Sequence, residues 1–315
     1  MSKYLVLGGT GSLGVALCKE LIDEERVCIY SRDYHKQEFL RASLNNPTNF
    51  RWFLGDIRDK SRLKLAMRSV DYVINAAALK SVPDGEYNPQ EILEINCLGH
   101  ENVLEAALET NRSVEFISSD KAVDPQNLYG STKKLGEGLT VAYNNHSGAD
   151  GPRFFSVRYG NVLGSNGSVV PLFRSKLKNN IPFPITNPTM TRFWITLPQA
   201  AKFVVQCWKF AVGGEIFIPK LKASTISTLA DAIALEHPKI AIGERPAEKL
   251  HERMISEYEI PRTYDVGFAY MIAPALHFWD RDWQPYGTKV DTMDYSSSSV
   301  EQLTVDELKE MLKDG

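Results

Sequence analysis

YLVLGGTGSLGVALCKELI, residues 4–22, is the stretch that decides the fold. An apolar run, YLVLG (4–8), passes through a glycine-rich turn into a helical pattern, SLGVALCKELI (12–22). Gly8, Gly11 and Gly14 are spaced three apart. Glycines in such a turn allow a tight bend and close backbone approach, so the helix N-terminus can hold a pyrophosphate. A glycine-rich turn alone is a weak signal; the strand before it and the helix after it give it weight.

Outward from this unit the same rhythm repeats. VCIY (27–30), FRWFL (50–54), YVINA (72–76), VEFIS (114–118) and FFSVR (154–158) read as buried strands. Between them RLKLAMRSV (62–70), EILEINCLGHENVLEAALE (91–109) and LGEGLTVAYNN (135–145) read as helices. Strands apolar on both faces, alternating with helices, predict an α/β fold: a Rossmann-like, doubly wound parallel sheet with a smaller C-terminal lobe. A dinucleotide-binding domain is expected over 1–165, with 190–220 rejoining it through PQAAKFVVQCWKFAV (198–212) and EIFIP (215–219). The smaller, substrate-binding lobe is expected over 166–189 and 221–290, and a linker and last helix over 291–315. The serine run at 296–299 reads as a solvated linker, and Thr304 with Glu307 as a capping box.

Within that frame, Gly8, Thr10, Gly11, Ser12, Leu13 and Gly14 form the expected pyrophosphate loop. The end of the second strand selects the dinucleotide. An acid there would take the ribose hydroxyl of NAD, but Ser31 and Arg32 stand in its place, with Lys36 a turn further on. A guanidinium suits a phosphate dianion, so NADP is favoured, the alternative being that Arg32 is a solvated surface charge. Asp56 and Ile57 in GDIRD fall at the expected adenine site, where Asp56 could equally cap a loop. Ala76 and Ala77 are small residues where backbone must approach the cofactor.

The stretch SSDKAVDPQNLYGSTKK (118–134) carries the chemistry. Tyr129 and Lys133 lie four apart, on one face of a helix. A nearby cation favours the phenolate, making Tyr129 a base for a sugar hydroxyl while hydride leaves the same carbon. Ser119 can hydrogen-bond that hydroxyl. Hydride transfer alone does not need Asp120 and Lys121. Either they cap the fifth strand, with Asp120 in an Asx turn, or they form an acid–base pair. In the second case oxidation at C4 of a hexose acidifies the C5 proton, a base removes it and an acid expels the C6 hydroxyl as water. The hydride then returns to C6, and the reaction is a 4,6-dehydration without net redox.

Other classes are disfavoured. A formal net charge of -3 with no long basic run argues against nucleic acid. Cys18, Cys28, Cys97 and Cys207 are scattered, with no CxxC pair or metal-like spacing with histidine, as expected of reduced core residues. With no signal-like segment and no apolar run long enough for a bilayer, a soluble, cytoplasmic protein is expected.

The blocks GGTGSLG, YSRDYHKQ, FLGDIRD, AAALKSVPDGEYNP, SSDKAVDPQNLYGSTK, VRYGNVLGSNGSVVPLF, MTRFWIT, GGEIFIPK and IGERPAEKLHE run in order from residue 8 to 252. Together they resemble the inverting UDP-N-acetylglucosamine 4,6-dehydratases, extended short-chain dehydrogenase/reductase enzymes of bacterial surface-sugar pathways, pseudaminic acid biosynthesis among them. The resemblance implies a catalytic set of Asp120, Lys121, Tyr129 and Lys133, supported by Ser119. It implies that Lys80 and the loop from Asn161 through Val169 to Pro171 line the sugar and uracil side, Lys80 also lying beside the cofactor. Arg192, Arg245 and Glu248 would hold the nucleotide's phosphates and ribose. It further implies NADP recycled within each turnover, UDP-N-acetylglucosamine as substrate, and a homo-oligomer, hexamer or dimer. Ser81 stands where the family has histidine and Ser119 where it has threonine, while Ser131 replaces alanine and GERPAEK replaces GIRPGEK. A UDP-sugar 4-epimerase or reductase using Tyr129 and Lys133, and a non-catalytic NADP-sensing regulator, remain the alternatives.

Overall fold

Tyr4 and Val6 bury against one face of the central sheet and Leu5 and Leu7 against the other, as the period-two alternation of a strand requires. The computed structural model describes residues 2–244, 247–275 and 286–314. Its first six strands are β1 (Lys3–Leu7), β2 (Arg26–Ser31), β3 (Phe50–Leu54), β4 (Tyr72–Asn75), β5 (Ser113–Ser119) and β6 (Phe154–Tyr159). They are parallel to their neighbours in the order β6-β5-β4-β1-β2-β3. The helices Ser12–Glu20 and Leu197–Cys207 contribute to the core on one face, Lys60–Met67 and Gly99–Thr110 to that on the other. This is the expected doubly wound α/β sheet. Because the chain leaves β1 toward β2 and returns on the other side at β4, the carboxyl ends of β1 and β4 open a crevice at the switch point.

Beyond residue 160 the chain forms β7 (Asn161–Val162), β8 (Phe183–Ile185), β9 (Thr191–Ile195), β10 (Ile216–Pro219), β11 (Ala223–Thr225) and β12 (Lys239–Ala241), then β13 (Thr263–Asp265), β14 (Ala269–Ile272) and β15 (Thr288–Lys289). β10 joins the main sheet parallel to β6. β9 does not: it pairs with β7 and β11 in a separate three-stranded sheet. Conversely β13, β14 and β15, expected in the smaller lobe, extend the main sheet antiparallel beyond β10. Antiparallel hairpins need only short connections, and such brief strands leave little periodicity in the sequence. A third core gathers Leu163, Phe173, Phe183, Trp194 and Leu229 with Leu303, Leu308 and Leu312 of the tail. Thr304 and Glu307 form the expected capping box.

Two further expectations are corrected. The single helix read over 91–109 is broken by a π-helical turn, Glu94–Leu98, between Pro89–Leu93 and Gly99–Thr110. The serine run is no solvated linker, since Ser296 and Ser297 are buried and Ser297 Oγ bonds the Thr191 hydroxyl at 2.6 Å. Among the described residues no helix is long and apolar enough to cross a membrane. All four cysteines are buried and unpaired.

A fully buried guanidinium joins these layers. Arg158 on β6 donates to both oxygens of Glu137 (2.9 and 2.7 Å), to both of Glu259 (3.0 and 2.9 Å) and to the Met254 carbonyl (2.7 Å). Burial works against the Glu259 carboxylate, but Arg158 and Lys134 hold it far below its ordinary value of 4.5. Removing one partner of such a buried cluster leaves charge uncompensated. Glu259→Gln should therefore cost about 3 kcal/mol at neutral pH in urea denaturation. A depressed carboxylate stabilises above its unfolded value, so the gap from wild type should be full above pH 4.5 and narrow below it.

Candidate active site

Gly8 follows β1 at φ +74°, and a Cβ there would lie 2.9 Å from the Ala76 and Ala77 backbone just after β4. A Cβ on Gly14 would lie 2.5 Å from Gly8 O and from Gly9. The helix Ser12–Glu20 starts from Gly11 with no side-chain cap and no acid in its first turn, leaving its N-terminus suited to an anion. Thr10 lies in the turn, Leu13 packs against the first core, and Ser12 Oγ accepts from the Asn166 amide at 3.0 Å. The glycine cradle thus fits a dinucleotide pyrophosphate.

At the adenosine end, Arg32 is 61% exposed and lies 3.5 Å from Asp56. Asp56 is held mainly by Arg58, at 3.1 and 2.9 Å. Burial raises its carboxyl, but the Arg58 hydrogen bonds and charge, with Arg32 behind, keep it lowered overall. Ser31 Oγ accepts from Gln37 at 3.0 Å, and Lys36 pairs with Asp33 at 3.5 Å. Ile57 is buried in the second core, its side chain directed at Gly99. Ala77 N–H donates to Asn75 at 3.2 Å, and Lys80 is exposed on the same loop.

The reactive groups converge after β5. Asp120 is fully buried; its Oδ1 accepts from Ser119 Oγ at 2.8 Å and Lys121 Nζ at 3.0 Å, while Oδ2 has no partner among the described residues. Burial raises the Asp120 carboxyl more than Lys121 lowers it. Burial opposes the Lys121 ammonium, yet Asp120 and Glu252 hold it well above its ordinary range. Tyr129, in the first turn of Leu128–Ser147, is partly exposed; burial pushes its phenol up to about 12, while Lys121 and the Ser119 hydroxyl act to lower it. The cation acting on the phenol is thus Lys121. Lys133 instead donates to the Ile117 carbonyl at 2.7 Å and stands over the Phe116 ring, and burial brings it down to about 8 against the pull of Glu137. Its rotamer follows from burial: an ammonium cut off from water takes the strand carbonyl within reach.

The other sugar-side residues divide. Asn161 Oδ1 and the Glu248 Oε2 atom are buried without a hydrogen-bond partner among the described residues, and so is Ser168 Oγ beside Val169 at the start of Val169–Lys178. Arg192 is buried and already engaged by protein: it donates to the Thr191 carbonyl at 2.7 Å, the Leu250 carbonyl at 3.2 Å and Glu248 at 3.3 Å. Arg245 lies outside the described residues. Ser81 precedes Val82–Tyr87 and makes no capping bond.

Sequence reading passed over two residues. Glu252, 3.2 Å from Lys121, was only the last letter of a matching block. Asn96, in the π-helical turn, holds both backbone groups of Leu79 (2.8 and 2.9 Å) and so fixes the loop that carries Lys80. The helix register shift that aims it inward has no sequence period to betray it.

The family model described as "Polysaccharide biosynthesis protein" matches residues 4–274. The chain belongs to that family. It is 46% identical to a UDP-N-acetylglucosamine 4,6-dehydratase (inverting) of Campylobacter jejuni, over 88% of this chain and 84% of that protein. It is 39% identical to a UDP-glucose 4-epimerase of Rickettsia bellii, over 98% of this chain and 94% of that one. Among solved structures, Pen from Bacillus thuringiensis superposes with a TM-score of 0.92 at 31% identity, covering 99% of this chain and 97% of its own. DesIV, a dTDP-glucose 4,6-dehydratase of Streptomyces venezuelae, shares the fold at a TM-score of 0.72 and 20% identity, covering 79% of this chain and 86% of its own.

The crowding at Gly14 yields a direct test. Gly14→Ala places a methyl group against backbone, which cannot give way as a flexible side chain can. Fluorescence titration with a reduced nicotinamide dinucleotide should show binding weakened at least about 100-fold, on the order of 3 kcal/mol, with the folded circular dichroism spectrum retained.

Proposed function

We propose that this enzyme removes water from UDP-N-acetylglucosamine by 4,6-dehydration, with inversion at C5 and with NADP held through the cycle. The observation that carries the reading is the Asp120 carboxyl, fully buried and bonded at once to Ser119 and Lys121 beside Tyr129. The relatives of that name from Campylobacter support it. Arg32, exposed at the end of β2 where an acid would take the ribose hydroxyl of NAD, supports NADP. The glycine loop with Ala76 and Ala77 would hold the dinucleotide, which when bound takes a hydride from the sugar and later gives it back.

The side chains perform the proton work. Tyr129, as the phenolate that the Lys121 charge favours against burial, takes the O4 proton, with the Ser119 hydroxyl steadying that oxygen. Lys121 and Asp120, 3.0 Å apart, share one proton along their contact. With the proton on Asp120, the pair is a carboxylic acid and a neutral amine. The amine removes the C5 proton, the acid protonates the departing C6 hydroxyl, and water leaves. A solvent proton delivered to C5 from the face opposite Lys121 inverts that centre, and Lys121 gives the proton it abstracted back to solvent. Asn161, Ser168 and Glu248, with unpartnered buried oxygens, are the polar groups we assign to the sugar nucleotide, and Val169 and Lys80 are assigned to it from the sequence alone. Arg192 would orient Glu248, and Arg245 is assigned to the diphosphate from the sequence alone.

The division into a dinucleotide domain and a sugar-nucleotide lobe, a cytoplasmic location and a homo-oligomer belong to the same proposal. The exposed Tyr87, Leu93, Leu98 and Leu135 are compatible with assembly. A 4-epimerase is the second reading, favoured by the Rickettsia relatives.

Purified protein incubated with UDP-N-acetylglucosamine in deuterated water, without added nucleotide, separates the two. The expected product has lost one water, carries deuterium at C5, and comes from protein that releases NADP on denaturation. Lys121→Ala should abolish the deuterium and the water loss together, a drop of at least about 1,000-fold. A galacto-configured product of unchanged mass would make the enzyme an epimerase.

A further inference from the structure

Glu252 is built into the site from two directions. Its backbone is clamped to the serine run: Glu252 N–H donates to Ser297 Oγ at 2.9 Å, and its carbonyl accepts from Ser297 N–H at 2.7 Å. Its carboxylate is buried, with Oε1 3.2 Å from Lys121 Nζ and 3.9 Å from Arg192 Nε. Oε2 lies 3.7 Å from Lys249 Nζ and has no hydrogen-bond partner among the described residues. Lys249 is in turn fixed to the Val123 carbonyl.

We infer that Glu252 is a positioning residue that sets the protonation of the Asp120–Lys121 pair and keeps Asp120 available as the acid. The consequence for catalysis rests on the dehydratase reading above. Lys121 lies between two buried carboxylates, Asp120 at 3.0 Å and Glu252 at 3.2 Å. With Asp120 alone, the ammonium would form a simple ion pair and favour the ionised carboxylate, which has no proton to give a leaving hydroxyl. A second carboxylate raises the proton affinity of both Asp120 and Lys121, so the pair keeps its one shared proton, and Asp120 can hold it as the acid, to higher pH. The groups facing this cluster make Glu252 the one that stays ionised. Burial opposes its charge, but Lys121, Arg192 and Lys249 surround it and prevail. Asp120 has Lys121 as its cation, with Glu252 and the Tyr129 phenol as further neighbours. Glu248, across Arg192 at 3.3 Å, completes the set.

Removing a negative charge lowers the pKa of every acid nearby, so Glu252→Gln should move both limbs of the kcat/KM bell for dehydration to lower pH. A charge within hydrogen-bond reach of Lys121 predicts a displacement of about one pH unit or more. Glu252→Asp, which restores the charge, should return most of it. A merely structural role would lower kcat in both variants and leave the limbs in place, and that result overturns the inference. An independent readout needs no turnover: the carboxyl carbon of Asp120, followed by 13C NMR in the ligand-free protein and assigned with Asp120→Asn. Wild-type Asp120 should titrate above the ordinary 3.8, and Glu252→Gln should lower its midpoint. A wild-type midpoint at or below 3.8, or one unmoved by the substitution, refutes the assignment even if the variant's activity is lost. If wild type fails to dehydrate the sugar nucleotide, the reaction assigned above fails, and the Asp120 titration still decides the role of Glu252.

Discussion

The buried Arg158 guanidinium is the constraint on which the geometry of the site depends. It is cut off from water, and the two carboxylates that flank it, with the Met254 carbonyl, make its burial tolerable. Those carboxylates come from distant parts of the chain. Glu137 lies two turns beyond Tyr129 on the same helix, and Glu259 follows the segment that carries Glu248 and Glu252. Ser118 adds a 2.7 Å bond to Glu137 at the end of β5, one residue before Ser119. Strand end, Tyr129 helix and C-terminal segment are thereby fixed to one rigid group. That is how Lys121 comes to meet a carboxylate more than a hundred residues away in sequence.

The fold was legible because its signals are local. YLVLGGTGSLG announces a strand, a turn and a helix within eleven residues, and repeated buried strands leave a doubly wound sheet as the economical arrangement. Strands such as Thr263–Asp265 and Thr288–Lys289 were not legible, because two or three residues carry no period and their pairing is decided by the partner strand. The serine run misled for a related reason: its polarity suggests solvent, yet Ser297 is buried because the backbone of Glu252 and the hydroxyl of Thr191 satisfy it.

The site was legible where chemistry is written in neighbouring letters. Ser119, Asp120, Lys121 and Tyr129 lie within eleven residues and meet at one point. Their charge states were not legible. The spacing of Tyr129 and Lys133 suggests that the lysine tunes the phenol, but Lys133 is turned to Ile117 and Lys121 acts in its place. Glu252 and Arg192, which surround Lys121, reach it only through tertiary packing.

A site that oxidises C4, expels the C6 hydroxyl and reduces C6 must carry one hydride between two carbons of the same sugar. UDP-N-acetylglucosamine deuterated at C4 tests this directly by proton NMR and mass spectrometry of the product. The account predicts that the deuterium reappears at C6 of a product lighter by one water, within the same molecule. Deuterium retained at C4 of an epimerised sugar, or lost from the product altogether, would contradict it.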